Sequence, residues 1–129
     1  MIEGKNYSVL LVDDDKFLLE MYQKKFESKV AKVDVALGGE EALSKLREGL
    51  KPNIILLDII MPGMDGLEIL ETIRKEKLSP SSVVIMLTNE NSAEKVEKAK
   101  SLGARGYIVK ATSLPSEVVD ESLKIANLK

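Results

Sequence analysis

Five short apolar runs, separated by longer amphipathic stretches, constrain the fold of this chain more than any other feature of its sequence. The runs are only four or five residues long and rich in Val, Ile and Leu, which is typical of strands buried on both faces. Strands of that kind belong to parallel sheets, so the runs predict five strands of one parallel sheet. The second run is the weakest, because Asp34 interrupts it. The runs lie at residues 9–12, 33–37, 54–57, 83–87 and 106–109.

Between the runs, apolar residues recur at spacings of three and four, which predicts helices with one buried face. Asp65 and Ser92 stand where helix N-caps are expected, and Pro115 suits a first helical turn. Strands and helices therefore alternate with short connections, which predicts an α/β fold with helices on both faces of the sheet. We expect a flavodoxin-like (βα)5 doubly wound parallel sheet with strand order 2-1-3-4-5. It would form a single domain over residues 1–129, with its core at about 7–127.

The residue types that are missing exclude several kinds of site. The sequence has no His and no Cys, which excludes a Ser-His-Asp triad, the usual zinc sites and a disulfide framework. The 19 basic and 21 acidic residues leave a net charge of −2, so no basic field favours direct nucleic-acid binding. No apolar stretch is long enough for a membrane span or a signal peptide, and we expect a cytoplasmic protein without a membrane partner.

Charged and hydroxyl side chains follow four of the predicted strands. Asp13–Asp15 come after the first strand and Asp58 after the third. Thr88 comes at the end of the fourth strand and Lys110 at the end of the fifth. The carboxyl ends of parallel strands meet at one edge of the sheet, where open α/β sheets bind ligands. Carboxylates brought together there repel one another unless a cation neutralises them, and a site with only oxygen ligands favours Mg²⁺.

A carboxylate beside Mg²⁺, a lysine and a hydroxyl is equipped for phosphoryl transfer. The carboxylate can accept a phosphoryl group as an aspartyl phosphate, while the other groups stabilise charge on the phosphoryl oxygens. An ordinary carboxylate is ionised at neutral pH, so we expect the acceptor to need no general base. The absence of His therefore does not weigh against this chemistry.

These strand-end residues stand in motifs that cover nearly the whole chain. The sequence resembles the receiver domain of two-component response regulators, because the motifs occur in that family's order and at its usual separations. We expect this domain to fill the 129 residues, with no output domain among them. The matching pieces are Val12-Asp13-Asp14-Asp15, Asp58-Ile59-Ile60-Met61-Pro62-Gly63-Met64-Asp65-Gly66, Thr88, Gly103-Ala104-Arg105-Gly106-Tyr107 and Lys110.

The resemblance implies a role for each acidic residue of the site. Asp58 would accept a phosphoryl group from a phosphohistidine on a partner sensor histidine kinase or histidine phosphotransfer protein. Asp14 would bind Mg²⁺ directly, and Asp13 would bind it through water or by hydrogen bonding. The backbone carbonyl of Ile60 would be a further ligand of the metal. The resemblance thus implies a signalling domain whose only catalysis is its own phosphorylation and dephosphorylation.

The resemblance also implies a switch. Thr88 and Lys110 would hold phosphoryl oxygens, and Tyr107 would turn inward as Thr88 moves toward the phosphate. The surface of helix 4, strand 5 and helix 5 would then be read by a downstream protein target or an output domain. A homodimer would pair through the same surface.

Two positions depart from the commonest pattern of the family. Ala111 follows Lys110 where the family usually has a proline in a cis peptide, and we expect the Lys110–Ala111 peptide to be cis. Ile60 stands two residues after Asp58, where many relatives have a polar group, so its side chain cannot orient an attacking water. Glu90, next to the expected site, could take that role instead.

Two other functions stay open on the sequence alone. An acidic run after the first strand also fits a phosphohydrolase of the haloacid dehalogenase type, with Asp13 as the nucleophile. That class carries a further acidic metal motif after a late strand, where this chain has Thr88 and Lys110. A pseudo-receiver would bind partners without being phosphorylated. Phosphorylation of Asp58, of Asp13 or of neither distinguishes the three functions.

Overall fold

The computed structural model describes residues 7–89, 92–110 and 113–127. Strands and helices alternate along the chain, as the apolar runs and amphipathic stretches predict. The strands are β1 (Ser8–Val12), β2 (Lys32–Ala36), β3 (Ile54–Asp58), β4 (Val83–Thr88) and β5 (Gly106–Val109). The helices are α1 (Lys16–Glu27), α2 (Gly39–Arg47), α3 (Gly66–Lys75), α4 (Ala93–Ser101) and α5 (Pro115–Asn127).

The strands form one parallel sheet in the order β2-β1-β3-β4-β5. This order confirms the flavodoxin-like arrangement predicted from the sequence. The register pairs Asp58 with Leu87 and Thr88 with Val109, so the carboxyl ends of β3, β4 and β5 lie side by side. No helix within the described ranges is long and apolar enough to cross a membrane.

Each face of the sheet is covered by a hydrophobic core of its own. Alternate residues of a strand point to opposite faces, so β3 contributes Ile55 and Leu57 to one core and Ile54 and Leu56 to the other. Helices α2, α3 and α4 pack on the first face, and α1 and α5 pack on the second. The four β3 residues are at most 2% exposed, and burying each of their side chains contributes roughly 1.5–3 kcal/mol to the free energy of unfolding. The central strands are thereby held rigidly between two layers of helices.

Side-chain caps fix where three of the helices begin. The carboxylates of Asp15 and Asp65 and the hydroxyl of Ser92 each accept a hydrogen bond from a backbone N–H in the first turn of the following helix. Replacing such a cap by alanine costs about 1 kcal/mol. Helix α5 begins at Pro115, as predicted, because the fixed φ of proline suits a first turn. The caps at residues 65 and 92 confirm the helix starts predicted from the sequence.

The second strand lies one residue earlier in the chain than the run predicted at 33–37. β2 ends at Ala36, and Leu37 lies beyond the strand with 48% of its surface exposed. The next residue, Gly38, has a φ of 112°, a conformation that favours glycine and turns the chain into α2. This turn removes Leu37 from the alternation, so its assignment to the strand is wrong.

Candidate functional site

The strand ends bring the predicted polar residues to one edge of the sheet. Asp13 and Asp14 directly follow β1, and Asp58 is the last residue of β3. Thr88 is the last residue of β4, and Lys110 directly follows β5. The parallel topology therefore brings Asp13 within hydrogen-bond distance of Lys110, although 97 positions separate them in the sequence.

Three carboxylates form the acidic part of the site. One oxygen from each of Asp13, Asp14 and Asp58 lies within 4.8 Å of the other two. Asp13 and Asp58 are buried, with 3% and 5% of their surfaces exposed, whereas Asp14 is exposed. The remaining acid of the run, Asp15, instead caps α1 by accepting the backbone N–H of Leu18 at 3.1 Å. The cluster therefore contains three of the four acidic residues found at the predicted strand ends.

Lys110 supplies the positive charge of the site. Its Nζ donates to Asp13 Oδ2 at 2.9 Å and lies 3.3 Å from Asp58 Oδ1. The lysine side chain is only 7% exposed, and this burial lowers its pKa. The hydrogen bond to Asp13 and the two carboxylate charges outweigh burial and raise the pKa of Lys110 above its usual value. The ammonium therefore stays charged at neutral pH and bridges two buried carboxylates.

Asp58 differs from an ordinary aspartate in its protonation. The pKa of Asp58 is raised from 3.8 to about 7, first by burial and next by the charge of Asp13. The ammonium of Lys110 lowers the pKa of Asp58, but by less than burial and Asp13 raise it. Burial and Asp13 therefore favour the protonated form of Asp58 more than in an ordinary aspartate, and the expectation that the acceptor needs no general base stays a prediction. A cation close to this carboxylate would favour the charged form.

The donor atoms fit a small hard cation. The three clustered carboxylates offer only oxygen, and two of them share the single ammonium of Lys110, so negative charge remains to be neutralised. Mg²⁺ is bound in proteins by one or two carboxylates together with water or phosphate oxygens. The exposure of Asp14 leaves room for such further ligands on the solvent side. The predicted contribution of the Ile60 carbonyl stays a prediction.

Thr88 and Tyr107 lie on the same face of the sheet. Tyr107 is paired in register with Met86, and Met86 stands two residues before Thr88 on β4. Because residues two apart on a strand share a face, the threonine and the tyrosine point to the same side. Thr88 is fully buried, whereas Tyr107 is only partly buried. The roles of Thr88 and Tyr107 in a switch stay a prediction.

The remaining predictions concern loops beside the site. Ile60 lies two residues after the end of β3, and half of its surface is exposed to solvent. The predicted cis peptide between Lys110 and Ala111 lies outside the described residues, and so does Glu90.

The sequence model of a known family covers most of this chain. It is described as the response regulator receiver domain, and it matches residues 9–120. That span contains the acidic cluster, Thr88, Tyr107 and Lys110. This chain belongs to the receiver-domain family. The resemblance based on the strand-end motifs is thereby confirmed.

Named relatives of this receiver domain differ in length. It is 35% identical over 108 residues to the chemotaxis protein CheY of Halobacterium salinarum, a match covering 84% of this chain and 88% of that protein. It is 37% identical over 121 residues to the transcriptional regulatory protein ResD of Bacillus subtilis, a match covering 92% of this chain and 48% of ResD. The receiver domain therefore spans nearly all of one relative and about half of the other.

A solved structure confirms the fold of this receiver domain. The chemotaxis protein CheY4 of Vibrio cholerae superposes with a TM-score of 0.84 at 29% sequence identity, over 92% of this chain and 98% of that one. Agreement over this share of both chains confirms the single five-stranded domain with helices on both faces of the sheet.

The charges of the site act on Tyr22, a core residue that the sequence did not connect with the site. Its spacing on α1 predicts only a core residue, and it is indeed 5% exposed in the core beneath α1 and α5. Burial raises the pKa of its phenol, and the charges of Lys110, Asp13 and Asp58 also act on it. The phenol of Tyr22 in the second core thus lies within electrostatic range of the acidic cluster, which helical periodicity alone could not indicate.

Proposed function

We propose that this receiver domain accepts a phosphoryl group on Asp58 from a phosphohistidine, in a reaction that requires Mg²⁺. The donor would be a sensor histidine kinase or a histidine phosphotransfer protein, because receiver domains interact with these proteins. One observation carries the proposal. The ammonium of Lys110 lies between two buried carboxylates, Asp13 and Asp58, and an exposed third carboxylate, Asp14, completes an oxygen cluster around them.

The reaction needs few protein groups. An oxygen of Asp58 attacks phosphorus, the P–O bond forms as the P–N bond to the donor breaks, and the electron pair of that bond stays on the imidazole nitrogen. The ammonium of Lys110 and the hydroxyl of Thr88 would stabilise charge on the transferred oxygens. Asp13, Asp14, Asp58 and the carbonyl of Ile60 would hold Mg²⁺. The bound ion would neutralise further charge on the phosphoryl oxygens.

The same residues support a switch. Engagement of Thr88 by the phosphoryl group would shift the end of β4 and allow Tyr107, on the same face of the sheet, to turn inward. The surface formed by α4, β5 and α5 would then bind a downstream protein or an output domain. This proposal makes the chain a signalling module of the cytoplasm that catalyses only its own phosphorylation and dephosphorylation.

We propose further that a homodimer, if one forms, pairs through that surface. Lys98 and Lys100 are exposed on α4, whereas Glu117 and Glu121 are exposed on α5. A twofold axis would bring α4 of one copy against α5 of the other, although α4 also exposes acidic residues in its first turns. Sedimentation velocity with and without a phosphodonor tests this part of the proposal, and an identical distribution in both samples would contradict it.

The phosphorylation itself is tested by intact-mass spectrometry. Incubation with acetyl phosphate should add one phosphoryl group to the wild type in the presence of Mg²⁺ and none after chelation. Asp58→Asn should abolish the gain, whereas the surface control Asp120→Asn should leave it unchanged, because Asp120 lies on α5 with 68% of its side chain exposed. Labelling of Asp58→Asn to the wild-type extent would disprove the assignment of the acceptor.

Two further variants separate the alternatives. Asp13→Asn should still be labelled at Asp58, although more slowly, whereas a phosphohydrolase of the haloacid dehalogenase type would lose its nucleophile. Lys110→Ala should impair labelling or the subsequent partner binding, because it removes the ammonium that faces the acceptor. A wild type that is never labelled in Mg²⁺ would instead support a pseudo-receiver.

A further inference from the structure

The first residue of α3 lies in unusually close contact with the backbone of the acceptor. A Cβ added at Gly66 would lie 2.3 Å from the carbonyl oxygen of Asp58 and 2.9 Å from Cα of Ile59. Ordinary contact begins at about 3.4 Å, so any side chain at this position would have to move the helix or the strand end by about 1 Å. The atoms in the way belong to the backbone, which has little freedom to yield.

Hydrogen bonds hold the two segments together at this contact. The backbone N–H of Gly66 donates to the carbonyl of Ile59 at 2.9 Å. The helix start is itself fixed by a reciprocal cap, in which Asp65 accepts the N–H of Glu68 at 2.9 Å and donates its own N–H to Glu68 Oε1 at 3.1 Å. The side chain of Ile59 is fully buried, so this end of β3 is anchored from both sides.

We propose that Gly66 is a positioning residue for the phosphoryl acceptor, an inference that rests on the proposed function. Its missing side chain lets the first turn of α3 sit directly on the backbone of Asp58 and Ile59. The turn thereby fixes the direction of the Asp58 carboxylate toward Lys110, at 3.3 Å. It also fixes the path of the chain through Ile60, whose carbonyl is the proposed metal ligand.

Space, rather than backbone conformation or helix propensity, accounts for glycine at this position. The positive-φ glycines among the described residues are Gly38, Gly49, Gly63 and Gly103, and Gly66 is not one of them. Its backbone conformation is thus open to any residue. Glycine is also one of the poorest helix formers, so local propensity would favour alanine at the start of α3. The close approach to Asp58 is the feature that alanine cannot satisfy.

Gly39 provides a matched control on a neighbouring helix. It is the first residue of α2, and its φ also lies outside the left-handed region. A Cβ there would meet the Cγ1 atom of Ile69 at 2.9 Å and the sulfur of Met64 at 3.0 Å. These are side-chain atoms that can rotate away, and neither belongs to the proposed site. The variants Gly66→Ala and Gly39→Ala therefore add the same methyl group at equivalent helix positions.

The experiment compares the two variants with the wild type in three measurements. These are the dissociation constant for Mg²⁺ from NMR titration with MgCl2, the maximal rate constant of labelling by acetyl phosphate, and the thermal midpoint. A displacement of about 1 Å at a reacting group lowers rates by up to about 100-fold. We expect Gly66→Ala to lower the labelling rate constant by about 10- to 100-fold and to weaken Mg²⁺ binding. Gly39→Ala should stay within about twofold of the wild type in both, whatever its thermal midpoint.

A purely structural role for Gly66 predicts a different outcome. It would lower the thermal midpoint of Gly66→Ala but leave the Mg²⁺ affinity and labelling rate of the folded protein at the wild-type values, which would overturn the inference. If Gly66→Ala does not fold, Asp65→Ala loosens the same turn by removing its cap. Unchanged Mg²⁺ affinity and labelling in folded Asp65→Ala would then count equally against the inference.

Failure of the proposed function is recognised separately. It would appear as a wild type that takes up no phosphoryl group, independently of any glycine variant. The positioning inference is then decided by crystal structures of the two glycine variants. A longer distance than 3.3 Å from Lys110 Nζ to Asp58 Oδ1 in Gly66→Ala, with no change in Gly39→Ala, supports it. An unchanged distance in both variants refutes it.

Discussion

Removing the charge of Asp58 should make the protein more stable at neutral pH, although it destroys the proposed phosphoryl acceptor. Asp58 is 5% exposed, lies beside Asp13 and is only partly compensated by Lys110. Burial and the neighbouring carboxylate raise its pKa from 3.8 to about 7. The folded protein therefore binds the proton of Asp58 more tightly than the unfolded chain does. Asp58→Asn replaces this carboxylate by a neutral group of nearly the same shape.

The direction and size of the effect follow from proton linkage. Below about pH 4 the carboxyl group of Asp58 is neutral in both states, and it contributes no penalty. Between about pH 4 and pH 7 the unfolded chain ionises first, so the free energy of unfolding falls as the pH rises. A shift from 3.8 to about 7 corresponds to about 4 kcal/mol at about 1.4 kcal/mol per pKa unit. The shift already includes the attraction of Lys110, so this is a net penalty.

The free-energy penalty of ionising Asp58 is measured as the difference in free energy of unfolding between the wild type and Asp58→Asn. Urea unfolding of the wild type and of Asp58→Asn, without divalent cations, should be followed by far-UV circular dichroism because the chain has no Trp. The two proteins should be about equally stable near pH 4, and the variant should be up to about 4 kcal/mol more stable at pH 8. Asp120→Asn is the control, because it makes the same chemical change at an exposed position on α5 outside the acidic cluster. Added Mg²⁺ should narrow the gap by binding more tightly to the wild type.

Two results would contradict this reasoning. A stability difference between wild type and Asp58→Asn that is the same at pH 4 and pH 8 would show that ionisation of Asp58 carries no penalty. A variant that is less stable than the wild type at pH 8 would show that the ion pair with Lys110 outweighs the burial of the carboxylate.

Two further predictions concern contacts away from the acidic cluster. The guanidinium of Arg74 on α3 donates from Nε at 2.7 Å and from Nη2 at 3.2 Å to the carbonyls of residues 102 and 103, at the end of α4. Arg74→Ala should lower the free energy of unfolding by about 1–2 kcal/mol and speed hydrogen exchange in α4. Arg47→Ala is the control: it breaks an exposed ion pair and should leave hydrogen exchange in α4 unchanged. Ser122 is fully buried on α5, and its hydroxyl has no hydrogen-bond partner within the described part of the chain. Ser122→Ala should therefore raise the free energy of unfolding by about 1 kcal/mol in urea titrations, and a loss of stability would show that the hydroxyl is satisfied after all.

The sequence alone determined the fold and indicated which polar residues meet at one edge of the sheet. Apolar runs such as 54–57 are buried on both faces, so their composition already specifies a parallel sheet with two helical layers. Once that topology is known, residues that follow the strands must meet at one edge, which places Asp13, Asp58 and Lys110 together. The pattern was less informative at β2, where the glycine turn at Gly38, and not hydrophobic alternation, ends the strand.

The tertiary structure alone decided how the site residues are charged and held. The ordinary pKa of an aspartate predicts that the acceptor is ionised at neutral pH. The pKa of Asp58 in the folded protein depends instead on its burial and on the distance to Asp13, and no local sequence pattern encodes the burial or the distance. The same holds for Gly66, which in the sequence is only the end of a motif. Its closeness to the carbonyl of Asp58 appears only when α3 packs against β3. Sequence periodicity reports which face of an element is buried, whereas distances of 2–4 Å between elements depend on how the whole core packs.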